Sequence, residues 1–176
     1  MNLEQELQKK QSLALCNRVV HFIGEDKVRF AELVKLFFRG EYRLTQRAAW
    51  PMSYCIARHP NLAKPYFRKF IHHLTDEKAH PAARRNIVRL LQFVEIPKRY
   101  QGEIMDVCFR FINSPQEAIA VKAFSLHILE NLGSIYPEIF LELKNIIEAR
   151  WAFETPAFRS RSRKILKKAE EMRYKE

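Results

Sequence analysis

Eight cations stand out by their spacing: Arg47, Arg84, Arg85, Arg89, Lys122, Arg159, Arg163 and Lys167. Guanidinium and ammonium groups are poor nucleophiles and bases at neutral pH, so their chemistry is the recognition of anions. Arg85, Lys122 and Arg163 recur at offsets of 37 and 41 residues. Four residues further on, Arg89 and Lys167 form a second column, interrupted by Leu126, and Arg47, Arg84 and Arg159 flank the set. If each member sits on a packed helix, neighbours stand roughly 8–10 Å apart. A ladder of that pitch suits phosphates or acidic side chains. The plain alternative is a solvated polar face in a chain rich in lysine and arginine.

Other groups with chemical potential are weaker. Arg43, Arg47, Trp50, Tyr54 and Arg58 follow one another at helical spacing, a pattern that stacks bases between cations unless the aromatics face the core. His72, His73, Asp76, Glu77 and His80 could supply metal ligands. The turn at Thr75-Asp76 breaks their periodicity, however, and surface histidines beside a turn are the favoured account. Cys16, Cys55 and Cys108 are far apart, odd in number and flanked by apolar residues, which suggests buried thiols in a reducing compartment. The chain contains no phosphate-cradling glycine loop, nucleotide fingerprint or serine-nucleophile elbow, and no cofactor or metal site is expected.

Composition bounds the setting of these residues. The 176 residues are 47% hydrophobic, enough for one sizeable core and too many for disorder. Net charge is +11, distributed as +2 over residues 1–40, +8 over 41–100, −3 over 101–150 and +4 over 151–176. Concentrated positive charge favours an acidic partner such as nucleic acid, a phosphorylated molecule or an acidic protein face. The N-terminal stretch lacks a secretory pattern, and no run approaches the ~20 apolar residues of a membrane span. A cytoplasmic, soluble chain is expected.

Helices must position the cations. Apolar periodicity with Gly and Pro punctuation predicts helices over 3–22, from a cap at Asp26 to Gly40, over 43–58 with a kink at Pro51, and over 62–74. Further helices are expected from Pro81, over 98–113, over 115–132, over 136–151 and from Pro156 toward Tyr174. Ser114-Pro115 is read as the start of the 115–132 helix. Gly133 is read as its left-handed cap. No alternating strand or hairpin signal is present.

Four segments align in register: Arg47-Ala48-Ala49-Trp50, Arg84-Arg85-Asn86-Ile87, Val121-Lys122-Ala123-Phe124 and Ser162-Arg163-Lys164-Ile165. One apolar column holds Trp50, Ile87, Phe124 and Ile165, and another holds Tyr54, Leu91, Ile128 and Ala169. Helical pairs of about 37–41 residues are a solenoid signature. These segments, with prolines at 60, 97 and 137, resemble HEAT or armadillo repeats. That resemblance implies an all-α, right-handed superhelix in one domain. Residues 1–24 would cap pairs at 26–60, 61–97, 98–134 and 135–174. It also implies that second helices line a concave, partner-holding face.

Two functions follow from these observations, beside a purely structural subunit of a larger assembly whose exposed repeat edges dock elsewhere. A non-catalytic scaffold presenting a basic concave surface to an acidic protein or nucleic acid needs only the ladder. The second possibility is a DNA-binding enzyme. Basic HEAT-like solenoids are similar to the bacterial alkylpurine DNA glycosylases, which pair aromatic side chains with an essential aspartate. Trp50 and Trp151 are available here, but Asp26, Asp76 and Asp106 all fall outside the expected second helices, leaving Glu130 as a substitute. The lack of a nucleophile–base pair favours the scaffold.

Overall fold

A computed structural model describes residues 1–39, 41–76, 79 and 81–173, with no strand among them. The chain is all-α and divides into two compact units, Met1–Pro97 and Lys98–Glu176.

The first unit holds α1 (Leu3–Gln8), α2 (Leu13–Ile23), α3 (Lys27–Phe37), α4 (Tyr42–Arg58), a 3-10 helix over Pro60–Tyr66, α5 (Phe67–Thr75) and α6 (Pro81–Leu91). The single helix expected over 3–22 is in fact two. Lys9 is extended, and Ser12 starts α2 by accepting a hydrogen bond from Leu15 N at 3.1 Å. Gly24, at φ 51°, ends α2, and Asp26 caps α3 by accepting from Val28 N and Arg29 N. Gly40 lies outside the described residues.

Helix α4 is the spine of this unit, packing against α1, α2, α3, α6 and the 3-10 helix. Its Ala48, Ala49, Met52, Cys55 and Ile56 are buried, and Pro51 lies within its single span. Small alanines let neighbours approach closely, and Phe30, Phe37, Phe67 and Phe70 fill the remaining space. Each fully buried aromatic contributes roughly 1.5–3 kcal/mol. The helix expected over 62–74 begins as a tight 3-10 turn, within which Pro65 lacks the backbone N–H that an α-helix interior needs.

The second unit holds α7 (Lys98–Asn113), α8 (Ile119–Gly133), α9 (Ile139–Arg150) and α10 (Pro156–Arg173). Helix α8 does not start at Ser114-Pro115. Ala118 is extended, at φ −60° and ψ 139°, and Glu117 Oε1 accepts from its N–H, so the helix opens at Ile119. Helix α8 packs against α7, α9 and α10. Burial therefore extends beyond one stripe to Val121, Leu126, Ile128, Leu129 and Leu132, while Phe124 is half-buried.

Gly133 ends α8 for a reason other than the expected one. It is helical, and Ser134 continues at φ −70° and ψ −20°, so there is no left-handed cap. What requires glycine is the Phe140 ring: a Cβ at Gly133 would stand 2.6 Å from its Cζ. Gly102, exposed on α7, has nothing within 4 Å of the same position. The two glycines should respond to alanine with opposite sign. Gly133→Ala is expected to lose about 1–3 kcal/mol through overpacking, and Gly102→Ala to gain about 0.5–1 kcal/mol through helix propensity. Urea denaturation of the two variants measures both.

Candidate interaction surface

The eight cations fall into distinct environments. On α4, Arg47 is half-buried and its Nη1 donates to the carbonyls of Gln8 at 2.6 Å and Leu7 at 3.2 Å. It satisfies the end of α1, where a cation also complements the helix dipole. Trp50 and Tyr54 on the same helix are half-buried and meet edge-to-face, with ring centroids 6.4 Å apart. They are neither fully core nor a free stacking platform.

On α6, buried Ala82, Ala83, Ile87, Val88, Leu90 and Leu91 turn the arginines outward. Arg84 is half-buried with its Nη2 directed at the Asp76 carbonyl, 3.5 Å away. Arg85 is exposed and Arg89 half-buried, and neither side chain makes an ion pair among the described residues. Arg89 and Arg58 both place positive charge near the Cys16 thiol.

In the second unit the expected ladder loses a rung. Lys122 is only 4% exposed, and its Nζ donates to Glu154 Oε1 at 2.7 Å. Glu154 precedes α10 and is buried too. Arg150 Nε also donates to its Oε1, at 2.8 Å, and Arg159 Nε donates to its backbone carbonyl at 3.0 Å. The physical reason is that α8 is enclosed by α7, α9 and α10, so a lysine at this register position meets protein and is retained only because a carboxylate meets it. Glu130 on α8 is the second buried acid, engaged by Arg161 and, at 2.8 Å, by Lys168 Nζ. Arg163 and Lys164 remain exposed without an ion pair among the described residues, and Lys167 lies 3.8 Å from Glu171 in solvent.

This helical arrangement agrees with comparison to known proteins: the family model described as HEAT repeat domain matches residues 3–169. The chain belongs to the HEAT repeat family. Among curated proteins and among solved structures, no match is found. HEAT repeats generally mediate protein interactions, and the cations left in solvent on α6 and α10 are the candidates for that role in this HEAT chain.

Groups suited to catalysis are in unpromising states. Burial pushes the Cys16 thiol up to about 11 and those of Cys55 and Cys108 up to about 12, which keeps all three protonated. Asp26 serves as a helix cap, Asp106 is exposed on α7, Asp76 follows α5, and Glu130 is held by its two cations. Among the described residues no group of three metal-ligating side chains occurs, and Glu77 and His80 lie outside them.

Neither ion-pair cluster is apparent from the sequence, where Glu130 stands only as a substitute for a catalytic aspartate. The Arg150–Glu154 spacing of four is visible in the chain, but Glu154 stands just before Thr155-Pro156, outside the expected helices. Burial pushes both acids up, and the hydrogen bonds and charge of Lys122 and Arg150 on Glu154, and of Lys168 and Arg161 on Glu130, outweigh it and leave both below the usual carboxylate range. A carboxyl lowered by folding stabilises the folded chain above its unfolded value of about 4.3. That contribution is lost as pH falls through the lower folded value. Glu154→Gln should cost about 3–5 kcal/mol at pH 7, because two cations lose their counter-charge. It should also flatten the acid limb of stability against pH. Urea midpoints between pH 3 and pH 7 (about the range in which carboxylates titrate) check both.

Proposed function

We propose that this HEAT chain is a non-catalytic interaction scaffold that holds an acidic macromolecular partner through the exposed cations of each unit. In the first unit the candidates are the exposed Arg85 and the half-buried Arg89 on α6, and in the second they are the exposed Arg163, Lys164 and Lys167 on α10. The observation that supports this reading is the sorting of charge. Arg47, Lys122 and Arg159 are occupied by carbonyls or a buried carboxylate, whereas Arg85 and Arg163 are exposed without an ion pair among the described residues. Solvated arginines keep their capacity for bidentate contact with carboxylate or phosphate. Charge-driven association is steep in salt, since each neutralised phosphate of a duplex adds about 0.9 to the slope of log affinity against log salt.

Binding of the full chain to short duplex DNA and to poly-glutamate, followed by fluorescence anisotropy across a salt series, tests this. Affinity for one of the two probes should fall steeply with salt. Arg85→Glu and Arg163→Glu should each weaken that binding about tenfold or more, as lost charge-assisted hydrogen bonds do. Salt-insensitive binding, or binding unchanged in both variants, would overturn the proposal.

A further inference from the structure

The first unit carries a second cationic feature besides the arginines of α6. An open depression of about 610 Å³ lies where α4 ends, α3 begins and the 3-10 helix turns. Its wall includes Lys27, Arg58, His59, Asn61, Lys64 and Glu25. Local sequence builds it. Gly24, at positive φ, and the Asp26 cap turn the chain sharply between α2 and α3, placing Glu25 and Lys27 on one rim. Pro60 stops α4 at His59 and starts the 3-10 turn that supplies Asn61 and Lys64 on the other rim.

The charges in this wall are unbalanced. Lys27, Arg58 and Lys64 are exposed, and none makes an ion pair among the described residues. Glu25, the one carboxylate of the wall, is turned to His59, with Nδ1 and Oε1 3.1 Å apart. Three cations against one carboxylate leave the wall a net charge of +2, and a concavity focuses that positive potential more strongly than a convex face does. The arginine adds a planar fork matched to phosphate oxygens, and Asn61 adds a neutral donor.

We propose that this depression is a binding site for a small ligand carrying a diphosphate group. A diphosphate presents more acceptor oxygens than a monoester, so it can engage the three cations and the Asn61 amide together. The volume lies within the ~300–1,000 Å³ of small-ligand sites, so there is room for a substituent beyond the diphosphate.

Isothermal titration calorimetry of the full chain at low ionic strength tests this, with pyrophosphate, inorganic phosphate and sodium chloride at matched ionic strength as titrants. Pyrophosphate should bind saturably and at least about tenfold more tightly than inorganic phosphate, with chloride giving no saturable heat. Arg58→Gln and Lys64→Gln should each weaken pyrophosphate binding about tenfold. Lys35→Gln, about 12 Å along α3 from Lys27, should not change it. Both wall substitutions are at exposed positions, and circular dichroism of each variant confirms its fold. The proposal is overturned if pyrophosphate gives no saturable binding, if phosphate and pyrophosphate bind equally, or if Lys35→Gln weakens binding as much as the wall variants do.

Discussion

A carboxylate removed from water must be met by cations, and Glu130 and Glu154 impose that condition on the second unit. Glu154 draws Lys122 from α8 and Arg150 from α9 to a single oxygen. Glu130 draws Arg161 and Lys168 from α10. The three helices are therefore tied by ion pairs as well as by apolar packing. The cost of burying these charges is high, and it is offset only while every partner is present. The clamps therefore add little net stability by themselves, although removing one partner is costly. They also sort the basic residues, since those drawn inward cannot serve a partner.

The first unit divides its cations by a different rule. No buried acid organises it among the described residues; backbone carbonyls take that role. Arg47 reaches across to the end of α1, and Arg84 is directed at the carbonyl after α5. Both close helix ends whose oxygens have no intrahelical donor. The buried face of α6 leaves Arg85 in solvent, while the proline-driven turn after α4 leaves Arg58 and Lys64 unpaired. In both units, binding capacity is what local structure does not use.

Most of the architecture was legible in the chain. Apolar periodicity placed α3, α4, α6, α7, α9 and α10, and the recurring segments led to the HEAT family. Errors arose where one residue had two possible uses. Ser114-Pro115 has the form of a helix start, yet the helix opens at Ile119. Gly133 does mark a helix end, but it is required by the Phe140 ring and not by backbone φ. Within the ladder, Arg85 and Lys122 look equivalent by register. Only packing against α10 and its preceding turn distinguishes an exposed arginine from a buried lysine, and a linear pattern of one helix cannot report what stands opposite it.

In the proposed division of labour Lys122 serves the fold and the exposed cations serve the partner. Lys122→Met separates these roles, since methionine fills similar space without charge. The account predicts a lowered urea midpoint for this variant, with affinity for the acidic probe unchanged from the parent chain when both are measured on one preparation. An unchanged midpoint with weakened, less salt-dependent binding would contradict it, because Lys122 would then be acting on the partner.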